Sequence, residues 1–192
     1  MPEADEEVRL FGKWSFGDVE VLDPGLKRYL SLRPTFLPRS SGRQEHQPFR
    51  KAEVSIVEKL VNQLMRPGLQ GGMKTKAIGI VRNALEIVHL RTGKNPIEVL
   101  VRAVENAAPA EDVTRVAYGG IVYHRSVDIS PMRRVDLAVR FIAEGARKAG
   151  RSTAATIDEL LADEIILAAE KDSKSYAVSK KEEMERIALA SR

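Results

Sequence analysis

The sequence of 192 residues contains no cysteine. Without thiols there is no disulfide framework, no thiol nucleophile and no cysteine-ligated zinc. Histidine is scarce. His46, His89 and His124 are too few and too scattered to suggest a metal centre, and no cofactor is expected. No apolar run approaches the ~18 residues that a membrane-crossing helix needs. The start, Met1-Pro2-Glu3-Ala4-Asp5-Glu6-Glu7, lacks the basic head and apolar stretch of a signal peptide. A soluble, cytoplasmic protein is therefore expected. Apolar residues at 43% and charged residues at 30% suffice for one core and exclude a wholly disordered chain.

A net charge of +4 is only modestly basic, so its distribution carries the information. Residues 1–23 hold seven acids against Arg9 and Lys13. Residues 27–51 hold Lys27, Arg28, Arg33, Arg39, Arg43, Arg50 and Lys51 against Glu45 alone. Residues 112–152 hold eight bases and four acids, and residues 153–170 hold five acids and no base. Such segregation suggests one anion-facing side. The plainer alternative is a set of solvated faces.

Residues 1–50 are broken by Pro24-Gly25, Arg33-Pro34, Leu37-Pro38, Ser40-Ser41-Gly42 and Gln47-Pro48. They read as a partly irregular N-terminal extension, basic from residue 27, with Leu10, Phe11, Trp14 and Phe16 as apolar anchors. Its order is expected to come mainly from whatever it binds. Residues 51–192 read as a single helical domain. Apolar stripes run through Val57, Leu60, Val61, Leu64 and Met65, then Ala77, Val81, Ala84, Leu85 and Val88. Asn95-Pro96-Ile97-Glu98 opens a third helix, carrying Ile97, Leu100, Val101 and Val104. The period then switches to two over 113–129, folded at Gly119-Gly120, a two-residue hairpin turn. Ser130-Pro131 opens a fourth helix with Val135, Ala138, Val139, Ile142 and Ala146 inward. An acidic helix follows over about 156–170. Ser179-Lys180-Lys181-Glu182 reads as the capping box of a last helix with Met184, Ile187 and Ala188 inward. The expected fold is mainly α: a six-helix, bundle-like core, one β-hairpin between the third and fourth helices, and the irregular extension. An isolated hairpin is marginal in water, so it must pack at its base or meet a partner at its tip.

Gly68-Leu69-Gln70-Gly71-Gly72-Met73-Lys74-Thr75 nearly fits a nucleotide-hydrolase phosphate loop. Met73 stands where glycine is needed, and a helix precedes it where a strand should. The better reading is a glycine-rich joint at which Lys74 and Lys76 meet a phosphate of a large polyanion. His89 reads as partly buried packing. Asp158-Glu159 and Asp163-Glu164 read as a solvated acidic face. No nucleophile or acid–base arrangement stands out, so an enzyme is not expected.

The arginines form the stronger signal. Arg115 and Arg125 lie on the two arms of the hairpin. Arg133, Arg134, Arg140, Arg147, Lys148 and Arg151 follow at once, with Arg133, Arg140 and Arg147 seven apart. A ribbon beside a basic helix is expected to make one concave cationic surface. Guanidinium forks pair with phosphate, and Tyr118 and Tyr123 offer stacking faces to unpaired bases. The alternative is core tyrosines with surface arginines. RNA is favoured over DNA, because A-form RNA is gripped by shape at phosphates, loops and junctions. A DNA-binding regulator using the fourth helix is the runner-up, and a phosphate-ester enzyme built on the glycine-rich joint comes third.

One combination of residues is specific. It comprises Val61-Asn62-Gln63-Leu64-Met65, Ala84-Leu85-Glu86 through Arg91-Thr92-Gly93-Lys94, and Ala103-Val104-Glu105-Asn106. It continues through Arg115-Val116-Ala117-Tyr118-Gly119-Gly120-Ile121-Val122-Tyr123, Pro131-Met132-Arg133-Arg134 and Ala146-Arg147-Lys148. Over roughly 50–192 the chain resembles the small-subunit ribosomal protein seven family in its archaeal and eukaryotic form. The family's joint before the second helix usually reads Gly-Lys-Lys, whereas here Gly72-Met73-Lys74-Thr75-Lys76 spreads the bases. The resemblance implies a ribosomal structural protein that binds the 3′ major domain of small-subunit rRNA and nucleates head assembly. It implies a position near the exit site, where the hairpin tip, Tyr118, Gly119, Gly120, Ile121 and Tyr123, approaches transfer RNA and messenger RNA. Neighbouring platform protein eleven is an implied partner. The implied RNA grip is Arg115, Arg125, Arg133, Arg134, Arg147 and Lys148; Arg33, Arg39, Arg43, Lys74, Lys76, Arg140 and Arg151 join it on charge.

Overall fold

A computed structural model describes residues 8–42, 44–65 and 71–192. Its elements run α1 (Ile56–Leu64), α2 (Lys74–Thr92), α3 (Pro96–Ala107), β1 (Glu111–Tyr118), β2 (Ile121–Asp128), α4 (Pro131–Ser152), α5 (Ile157–Ala169) and α6 (Tyr176–Ala190). Part of the glycine-rich joint, and Arg43, lie outside the described residues. What is described of that joint leads from Gly71-Gly72 directly into α2.

Local chemistry explains most boundaries. The α2 helix stops at Gly93, which takes φ 68° and returns its N–H to the His89 carbonyl. In α3, Pro96 occupies the first turn, and the Asn95 side chain accepts the Ile97 N–H at 3.1 Å. Thr156 and Glu159 close a reciprocal capping box at the start of α5. The expected inward stripes of α1 to α4 are buried, apart from a partly buried Met65.

The last helix differs from expectation. It begins at Tyr176, a full turn before the Ser179 cap read from the sequence, and Ser175 caps it by accepting the Val178 N–H. The cause is Glu164 on α5. Its buried carboxylate accepts the Ser175 hydroxyl at 2.7 Å and the Ala177 N–H at 2.9 Å, which fixes the first turn of α6. Glu164 therefore does not belong to the solvated face expected for the acidic helix. Asp158 and Asp163 are also engaged, with Asn83 and Arg91. Gly145 on α4 makes room for this carboxylate, because a Cβ there would lie 2.7 Å from its carbon. Ile187, expected inward, is half exposed. His89 is exposed too, and its Nδ1–H donates to the Lys94 carbonyl at 2.9 Å.

The extension is irregular, as expected, and it packs against the protein's own core. Leu10, Trp14, Phe16, Val19, Leu26 and Leu30 are buried in the same core as the helices. Glu105 accepts the Leu22 and Asp23 N–H groups at 2.6 and 3.0 Å, and Asn95 donates to the Ser15 carbonyl. Fully burying a leucine is worth roughly 1.5–3 kcal/mol. An exposed pair such as Lys13–Glu86 is worth about 0–1 kcal/mol. Apolar side chains therefore hold the extension, and its ion pairs are secondary.

Candidate nucleic-acid interface

The hairpin projects from the helices. Gly119 and Gly120 both take positive φ, 56° and 84°, as a two-residue turn of this hand requires. The turn sets the register: Tyr118 faces Ile121, Val116 faces Tyr123, Arg115 faces His124 and Thr114 faces Arg125. Side chains alternate across a ribbon, so Val116, Tyr118, Ile121, Tyr123 and Arg125 share one face. Arg115 and His124 take the other. The two hairpin arginines therefore point to opposite sides, against the expectation of one converging surface. Their positions have opposite parity relative to the turn, and that signal was present in the sequence.

Neither tyrosine is a core residue. Tyr118 is 80% exposed and Tyr123 55%, with Val116 and Ile121 on the same face also exposed. Contiguous exposed apolar residues of this kind mark a surface that a partner covers. The root of the hairpin is anchored, as an isolated ribbon requires. Ile129 is buried, Glu185 on α6 accepts the Ala110 N–H at 3.0 Å, and Arg192 pairs with Glu111.

Arg133 connects the ribbon to α4. It lies 3.6 Å from Asp112, which shares the ribbon face of Arg125 and the tyrosines. From there Arg133, Arg140 and Arg151 are exposed on α4, while Val135, Ala138, Ile142 and Ala146 are buried in the core. The partners of these arginines are weak. Arg140 reaches Glu144 at 3.3 Å along its own helix. Exposed pairs contribute about 0–1 kcal/mol, so a phosphate can replace them at little cost.

Other expected contacts are engaged within the protein, Lys148 while remaining exposed and Arg134, Arg147 and Lys74 at partly buried positions. Arg134 donates to the Pro109 carbonyl at 3.1 Å and pairs with Asp23 at 3.4 Å, joining α4 to the extension. Arg147 is partly buried and donates to the Gln63 carbonyl at 3.4 Å. Lys148 hydrogen-bonds the Tyr176 hydroxyl at 2.8 Å and lies 4.1 Å from that ring's centre. Lys74 lies 2.6 Å from the buried Glu58, which also accepts the Ser40 N–H and hydroxyl. Burial alone would raise the Glu58 carboxyl, but Lys74 and Ser40 together hold it below its ordinary value. Lys76, Arg33 and Arg39 are exposed and make no ion pair with the described residues.

The family model for ribosomal protein S7p/S5e matches residues 26–192. The chain is 50% identical to the small ribosomal subunit protein uS7 of Cenarchaeum symbiosum (strain A), over 97% of this chain and 98% of that protein.

Proposed function

The chain belongs to the S7p/S5e family of ribosomal proteins, and on that premise we propose that it grips small-subunit rRNA with the ribbon face of Tyr118, Tyr123 and Arg125 continued by Arg133, Arg140 and Arg151 on α4. The family is one of ribosomal structural proteins, not enzymes, and its place is the cytoplasmic small subunit. The RNA segment is the 3′ major domain, and binding there nucleates assembly of the head. The hairpin tip then lies near the exit site, beside transfer RNA, messenger RNA and platform protein eleven. The supporting observation is the Arg133–Asp112 contact, which joins an exposed aromatic ribbon to a cationic stripe on the outer side of a packed helix.

The mechanism is geometric. Arginines neutralise phosphates of several RNA segments, tyrosines take unpaired bases, and the rigid helical core fixes their relative positions. Released counterions make the affinity fall steeply with salt. Replacing Arg133 and Arg140 by alanine should weaken binding to a 3′-major-domain transcript and reduce the salt slope by about one to two. Arg134→Ala should instead lower Tm and leave the slope nearly intact, because that side chain holds Asp23 and Pro109. An unchanged slope in the Arg133/Arg140 variant, or equal competition by duplex DNA, would refute the assignment.

A further inference from the structure

A second cationic surface lies in the extension, apart from the ribbon. A cleft of about 660 Å³ is lined by Lys27, Arg28, Tyr29, Arg33, Phe49 and Arg50, among others. Its two walls, around residues 27–33 and 47–53, are tied together. The Ser31 hydroxyl donates to the Glu53 carbonyl at 3.0 Å, and the Ile56 N–H donates to the Ser31 carbonyl at 3.1 Å. The buried Lys59 donates to the Tyr29 carbonyl at 3.3 Å. Lys27, Arg28 and Arg33 are exposed and make no ion pair with the described residues. The acid on the rim, Glu53, lies 3.5 Å from Arg50.

Phe49 is the informative residue. Its backbone is left-handed, φ 63° and ψ −6°, a conformation that favours glycine or asparagine. Phe11 also has positive φ, but its ring packs edge-on to Trp14 and against the core. Phe49 has no such compensation, since it is 74% exposed. A strained aromatic held out beside four cations has the form of a stacking platform within a phosphate-binding groove.

We propose that this cleft binds an unpaired RNA segment, with Phe49 stacking on a base and Lys27, Arg28, Arg33 and Arg50 holding the flanking phosphates. The proposal rests on the RNA-binding reading above and adds a second site to it. The protein then grips RNA at two places, the ribbon–α4 face and the extension.

The left-handed backbone at Phe49 supplies a clean test. Phe49→Gly removes the ring and relieves the backbone, so Tm should hold or rise. Phe49→Asn, also tolerant of this conformation, guards against added flexibility. The probe is a fluorescein-labelled ten-nucleotide oligouridylate titrated with full-length protein. Both variants should bind it roughly 5-fold or more weakly. Lys27→Ala with Arg28→Ala should reduce the salt slope for the same probe by about 1.4, two single-strand phosphate contacts. Unchanged oligouridylate affinity in both Phe49 variants would overturn the proposal. So would displacement of the probe by polyglutamate as effectively as by RNA, which would mark a site for an acidic protein segment. The Arg133→Ala/Arg140→Ala protein separates this failure from that of the earlier reading. If that variant alone loses both RNAs, the ribbon–α4 site stands and the cleft falls. If it keeps the 3′-major-domain transcript while the Phe49 variants lose the oligonucleotide, the cleft stands and the earlier assignment falls.

Discussion

Lys74 shows how one residue changes role between sequence and structure. Lys74 has the position and charge of a phosphate contact, yet its ammonium lies on a carboxylate that is almost wholly buried. That carboxylate titrates below its ordinary value of 4.5 in the folded protein. The stability it confers is therefore fully present above about pH 4.5 and is lost as pH falls through the lowered folded value. Glu58→Gln should cost about 1.5–3 kcal/mol at pH 7, the range for hydrogen bonds to a charged group. Tm measured from pH 7 to pH 2 should show the two proteins converging in acid. A gap that stays constant across that range would show that Glu58 is not ionised in the fold. The sequence cannot reveal this pairing. Nothing in the spacing of Ser40, Glu58 and Lys74 marks them as neighbours, and burial alone makes their contact valuable.

At the scale of elements, local signals were legible and long-range ones were not. The hairpin was readable because its period of two and its Gly-Gly turn are written within one short segment. The inward stripes of α1 to α4 were readable for the same reason. The start of α6 was not, because Glu164 sets it from another helix. The opposite facing of Arg115 and Arg125 follows from counting residues back from the turn, so the site was partly legible in the register. The same register yields a prediction. Alanine at Gly119 and Gly120 forces two side chains into positive φ, destabilising the ribbon by roughly 1 kcal/mol per position. Most of the ribbon is exposed and rests on the helices only at its root. Hydrogen exchange should therefore accelerate at amides of β1 and β2 while the α3 and α4 amides keep their protection. Equal acceleration in the helices would show that the ribbon and core unfold together.

For the whole molecule the question is whether the extension belongs to the fold or to the partner. Its prolines and its mixed charge gave no period to read, so its anchors looked like groups awaiting a surface. That surface is the protein's own. Leu10, Trp14 and Phe16 are buried with the helices, and Asp23 clasps Arg134 on α4. Trp14 is the single tryptophan of the chain, so its fluorescence reports on how the extension packs against the helices. In the free protein its emission should be blue-shifted, as for a ring shielded from water. Thermal unfolding followed by that emission should coincide with unfolding followed by helical circular dichroism, because a shared core melts as one unit. Adding rRNA should shift both midpoints upward by the same amount without moving the native emission maximum. If the emission of the free protein were that of a solvated indole and turned blue only on binding RNA, the extension would fold onto its target. The cleft around Phe49, built on that segment, would then form only in the complex.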